Sequence, residues 1–134
     1  MLEPGDIIER YEVLRALGEG GMARVVLVRH TTLGTRHAIK VLTLTGPSLK
    51  ERLVEEGRAQ ALLRHDNVVR VSDVLEVEGM PALVMDYVDG PDLGRWIGET
   101  QPDPETAERV FRGIVAGVAA AHRAGRIHRD LKPA

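Results

Sequence analysis

At 134 residues, 43% of them hydrophobic and 28% charged, the chain has the balance of a soluble globular protein, with room for one domain or two small lobes. A formal net charge of -2 gives no general attraction to nucleic acid or to a membrane surface. The lack of cysteine excludes disulfides and thiolate metal sites and fits a reducing cytosol, and no signal peptide or membrane-spanning run is found, so a cytoplasmic location is expected.

Alternating apolar positions dominate the first forty residues. Tyr11 and Val13 lead into "LGEGGMARVVLVRH", where Val25 and Leu27 face one side of a strand and Val26 and Val28 the other. "TTLG" is a turn, and "TRHAIKVLTL" a further strand with Ala38 and Lys40 on one face. Three antiparallel strands joined by tight turns are the simplest reading. "TGPS" breaks the pattern and offers Ser48 as an N-cap.

From Leu49 to Arg64 the period becomes helical, with Leu49, Leu53, Glu56, Gln60 and Leu63 on one stripe. Two more strands follow, "VVRVSDVLEV" and "PALVMDYV", separated by a turn at Glu78–Gly79. "PDLGRWIGET" predicts a short helix. "QPDPETAERVFRGIVAGVAAAHRAG" predicts a long one, with Asp103 as N-cap, Pro104 in the first helical position and Gly125 as the stop. Strands with one helix, then mostly helix, make an α+β chain that passes into a helical second lobe.

Chemistry concentrates in a few places. In Gly18-Glu19-Gly20-Gly21-Met22-Ala23-Arg24-Val25, glycines let backbone approach phosphate oxygens closely. Alone, the pattern fits a plain hairpin turn equally well. A strand follows it rather than a helix, which argues against a dinucleotide-binding oxidoreductase. Lys40, between Ile39 and Val41, either needs a partner for its ammonium or points to solvent from an edge strand. Glu56, on the otherwise apolar helix stripe, is the partner that geometry favours over Glu55; local pairing with Arg52 or Arg64 is the alternative. In His128-Arg129-Asp130-Leu131-Lys132, the aspartate could orient a hydroxyl and accept its proton, with Lys132 reaching the same phosphate; a charged tail is the alternative. The remaining histidines have no metal-ligand spacing.

Taken in order, these features resemble the bacterial branch of the eukaryotic-like (Hanks-type) Ser/Thr protein kinases. "RYEVLRALGEGGMARVVLV", "HAIKVL", "LLRHDNVVRV", "LVMDYVDGPDL" and "IHRDLKP" carry the resemblance, from about Arg10 to Ala134. It implies a small lobe of five antiparallel strands and one long helix in residues 1–88. The first helices of the large lobe would follow in residues 89–134, ending within the catalytic loop. It implies that Leu17, Gly18, Gly20, Gly21 and Val25 cover ATP, with Ala38 against the adenine. Lys40 would hold the α- and β-phosphates and be held by Glu56. Met85 would guard the back of the adenine pocket, Asp86 and Val88 would supply hinge backbone groups, and Asp92 would lie near the ribose. Asp130 would be the catalytic base and Lys132 would steady the transferring phosphoryl group, with protein Ser or Thr as acceptor.

Departures from the pattern shape the expectations. Ala23 replaces the third glycine of the loop, and Gln60 occupies a position that is usually apolar. The metal-binding asparagine, the D-F-G aspartate and the activation segment would lie after Ala134, so magnesium is expected in the complete kinase but with no ligand in this chain. The chain alone is therefore expected to be inactive. The alternative is a non-catalytic, pseudokinase-like module that binds nucleotide or a protein partner. Val110, Phe111, Ile114 and Val118, without later helices to cover them, predict an apolar patch and self-association.

Overall fold

Alternating valines, isoleucines and leucines dictate most of what forms between residues 7 and 86. The computed structural model describes residues 2–43 and 46–125. It divides into two compact units, Met1–Leu62 with Arg70–Tyr87, and Leu63–Val69 with Val88–Ala134.

The first unit is built on one antiparallel sheet of β1 (Ile7–Ile8), β2 (Tyr11–Glu19), β3 (Ala23–His30), β4 (Arg36–Leu42), β5 (Val71–Val77) and β6 (Met80–Asp86), in the order β1-β2-β3-β4-β6-β5. The five expected strands are present, and the two-residue β1 is added at one edge. The β5–β6 turn puts Glu78 and Gly79 at φ 53° and 80°, the paired left-handed conformations that match hairpin twist. Period-2 alternation then sorts the side chains. On one face Tyr11, Val13, Val26, Val28, Ile39, Val41, Leu75 and Val84 form the main core with Leu2 and Ile8. On the other, Val71 and Leu83 pack with Leu53 from the helix α1 (Pro47–Leu62) in a smaller cluster flanked by Leu42, Val74 and Met85.

Helix α1 corrects several expectations. It begins at Pro47, where a missing N–H costs nothing, so Ser48 lies inside the helix rather than capping it. It ends at Leu62 rather than Arg64. Its buried residues are Leu53 and Gly57, one turn apart, while Glu56 is exposed. A Cβ at Gly57 would stand 2.8 Å from Leu83 Cδ2 and 2.9 Å from Val74 Cγ2. The helix thus lies on the sheet through a residue with no side chain.

The second unit contains α2 (Leu93–Thr100), α3 (Pro104–Arg123) and the segment Leu63–Val69. As expected, Asp103 caps α3, its carboxylate accepting from the Thr106 amide at 2.7 Å, with Pro104 next and Gly125 just beyond the end at φ 79°. Two links tie the segment to α3. Asn67 Nδ2 donates to the Gly113 carbonyl at 2.9 Å, and Gly117 lies so close that a Cβ there would be 2.8 Å from the Asn67 carbonyl oxygen. His65 Nδ1 accepts the Asn67 amide at 3.0 Å, which fixes the turn. Leu93, Trp96 and Ile97 of α2 face Val110, Phe111 and Ile114 of α3 across an apolar groove of about 490 Å3.

Candidate functional site

Strand register brings several predicted site residues onto one face of the sheet. Gly18 of β2 lies opposite Val25 of β3, Val25 opposite Lys40 of β4, and Lys40 opposite Leu83 of β6. One step along, Ala38 lies opposite Met85. Directly paired residues share a face, so Gly18, Val25, Ala38, Lys40 and Met85 belong to a single surface. It is the face on which α1 lies over β5 and β6. Ala38 is buried, Val25 and Met85 are half-buried, and Lys40 is exposed. The surface therefore has an apolar floor with the Lys40 ammonium beside it.

The β2–β3 hairpin borders this surface. Register slips between Ala16 and Gly18, and Leu17 occupies the irregularity, where extra twist is expected. The Gly20 amide closes the turn on the Ala23 carbonyl at 2.9 Å. None of Gly18, Gly20 and Gly21 has a positive φ, and a Cβ at any of them would meet nothing closer than 3.9 Å. Neither backbone conformation nor packing within the chain requires glycine there. What glycine provides is a backbone that another molecule can approach.

Lys40 and Glu56 do not meet as expected. Both are exposed, and no ion pair joins Glu56 to Lys40, Arg52 or Arg64 among the described residues. The reason is the helix face: α1 turns Leu53 and Gly57 to the sheet, and Glu56, about 100° around the helix from its neighbour Gly57, looks elsewhere. Nor is Lys40 on an edge. It sits on β4, between β3 and β6, yet its ammonium is solvated and carries no burial cost.

Asp86 ends β6, its amide donating to the Arg70 carbonyl at 3.0 Å. Val88 and Asp92 belong to the second unit and are exposed. Asp92 is the N-cap of α2, with Oδ1 accepting from the Arg95 amide at 2.8 Å. Asp130 and Lys132 lie outside the described residues. Among the described residues no cluster of three histidine, aspartate or glutamate side chains could hold a metal ion. No helix among them is long and apolar enough to cross a membrane.

Tyr87 was invisible to sequence reasoning. Its hydroxyl accepts from Arg15 Nη2 at 3.3 Å, and the Arg36 guanidinium lies over its ring, 5.3 Å from the centroid. No spacing rule links residues so far apart in the chain, and only strand pairing could have found them.

The family model described as "Protein kinase domain" matches residues 11–134. The chain is 36% identical over 126 residues to the serine/threonine-protein kinase Pkn1 of Myxococcus xanthus, covering 92% of this chain and 18% of that protein. It is 38% identical over 139 residues to the probable serine/threonine-protein kinase PknB of Lactococcus lactis, covering 99% and 22%. The crystal structure of the Mycobacterium tuberculosis PknI kinase domain superposes with a TM-score of 0.80 at 29% identity, covering 99% of this chain and 56% of that one. The chain thus spans about a fifth of the length of these two curated relatives and just over half of the solved kinase domain.

Proposed function

The chain belongs to the protein kinase domain family, and from that premise we propose that it is the ATP-binding part of a Ser/Thr protein kinase, which transfers the γ-phosphate of ATP to protein Ser or Thr hydroxyls. The observation that carries this reading is the shared face of Gly18, Val25, Ala38, Lys40 and Met85. A flat apolar base fits on Ala38 between Val25 and Met85. The unhindered glycine backbone of the hairpin can close over phosphates, and Lys40 supplies a solvated ammonium for their charge.

The remaining roles are those that membership of the family implies. Leu17 and Val25 cover the nucleotide, and the Asp86 and Val88 backbone groups take the base edge. Glu56 steadies Lys40 once α1 turns it towards the sheet. Asp130 accepts the proton of the attacking hydroxyl while Lys132 offsets charge on the transferring group. ATP supplies the phosphoryl group, and the chain's work is positioning and charge.

A thermal-shift titration with ATP, beside Lys40→Met, tests the reading. A saturable rise in the melting midpoint that the variant loses is expected. A cooperative melt with no shift at saturating ATP would sink it. A second reading, a nucleotide-binding or protein-interaction module without phosphotransfer, is favoured by the lack of an ion pair between Lys40 and Glu56 among the described residues. In its nucleotide-binding form ATP binds as tightly, but the complete protein passes no labelled phosphate to a protein acceptor.

A further inference from the structure

We propose that Tyr87 is a positioning residue for the nucleotide base, held in place by Arg15 and Arg36. The inference rests on the reading of Asp86 to Val88 as the segment that meets the base edge, and it names what keeps that segment in place.

The geometry begins with alternation. Arg36, Ala38 and Lys40 follow one another on one face of β4, and Ala38 faces Met85 across the ladder. The next residue in that alternation along β6 is Tyr87, just past its last strand residue, Asp86. Arg15, opposite Leu27, which is itself opposite Ala38, lies on the same side. Arg15, Arg36 and Tyr87 therefore gather at one end of the face that carries Ala38, Lys40 and Met85.

The sheet's own hold on this stretch stops early. His37–Asp86 is the last paired position between β4 and β6, and the Asp86 amide is engaged by the Arg70 carbonyl. The Tyr87 side chain carries the tie one residue further. Arg15 donates to its hydroxyl at 3.3 Å from β2, and Arg36 covers its ring at 5.3 Å from β4. A cation over an aromatic face is attracted by the ring's electron density, and a hydroxyl bonded to a guanidinium has a fixed direction. Held from two strands at once, Tyr87 fixes where the Asp86 carbonyl points. Loosening the clamp lowers the fraction of molecules ready to accept a base, and apparent affinity falls by that fraction.

The test compares two probes, adenosine and ATP, by calorimetric titration of the 134-residue chain. Tyr87→Ala should weaken both by the same factor, about threefold to tenfold, because the lost hold acts on the base. Tyr87→Phe keeps the ring under Arg36 and should lose less; Arg36→Gln should lose affinity for both probes. Lys40→Met should weaken ATP and leave adenosine unchanged. Circular dichroism identifies any variant that fails to fold, and if Tyr87→Ala does, the other two Tyr87–Arg36 variants decide. Wild-type adenosine affinity in the folded variants overturns the proposal, as does a loss confined to ATP. A wild-type chain that binds neither probe overturns the nucleotide reading, and this inference with it; one that binds both, with Tyr87 variants unaffected, overturns the inference alone.

Discussion

Two glycines one turn apart on α3 should respond to the same substitution with opposite sign. In a helix interior alanine is favoured over glycine by about 1 kcal/mol. At Gly113 a Cβ would meet Asn67 Nδ2 at 3.6 Å, an ordinary contact, so Gly113→Ala should stabilise by up to about 1 kcal/mol. At Gly117 a Cβ would stand 2.8 Å from the Asn67 carbonyl oxygen and 3.3 Å from its Cβ. A backbone carbonyl cannot rotate aside as a side chain does, so the segment must lift from the helix. Overpacking of that kind costs about 1–3 kcal/mol. Lifting also strains the 2.9 Å bond from Asn67 Nδ2 to the Gly113 carbonyl, worth about another 1 kcal/mol. Set against the helix gain, Gly117→Ala should destabilise by about 1–3 kcal/mol. Urea unfolding followed by circular dichroism measures both, with an unchanged m-value confirming that the same surface is exposed. A Gly117→Ala variant as stable as wild type would refute the close packing of Leu63–Val69 on α3.

Further outcomes follow from other groups. Burial pushes the Tyr11 hydroxyl pKa up, with the Asp73 charge adding to it. A raised value favours the neutral form in the folded state, so this stability is present below the ordinary tyrosine range and is lost as pH rises through the folded value. Tyr11→Phe should flatten the alkaline limb of a melting-point profile, and an unaltered limb would count against the assignment. Hydrogen bonds from Thr106 hold the Asp103 carboxyl below its usual range. That stability is present above the ordinary carboxylate range and lost as pH falls through the folded value; Asp103→Ala should remove this dependence and fray the start of α3, read by amide exchange of Thr106. With Phe111 64% exposed beside Ile114 and Val115, Phe111→Lys should reduce self-association in sedimentation, whereas a wild-type chain that stays monomeric at high concentration would contradict it.

How much was legible depended on whether a side chain announced its own role. The long helix was readable because Asp103, Pro104 and Gly125 act locally, through backbone groups within a turn of themselves. The strand faces were readable because alternation forces Val26 and Val28 to one side and Val25 and Leu27 to the other. Helix α1 was misread for a related reason. Its contact with the sheet runs through Gly57, which carries no hydrophobic signal, so the stripe was drawn one residue away through Glu56. With Glu56 drawn onto that stripe, sequence reasoning expected a Lys40–Glu56 contact, whereas in this structure both side chains are exposed. That Asp92 also caps α2 was not anticipated. The Arg15–Tyr87–Arg36 cluster depends on which strands become neighbours, which no local pattern encodes.

The path of the chain through its two units carries a consequence for how it should open. It leaves the first unit after Leu62, rejoins it at Arg70, and leaves again after Tyr87. Native-state hydrogen exchange groups amides by the cooperative block that must open to release them, not by sequence neighbourhood. The amides of Asn67 and Val68, bonded within their own turn to His65, should therefore exchange in step with α3. Those of Leu75 and Val84, on strands paired in the sheet, should follow the sheet. An exchange map would show a short island of second-unit protection set between two stretches of the first.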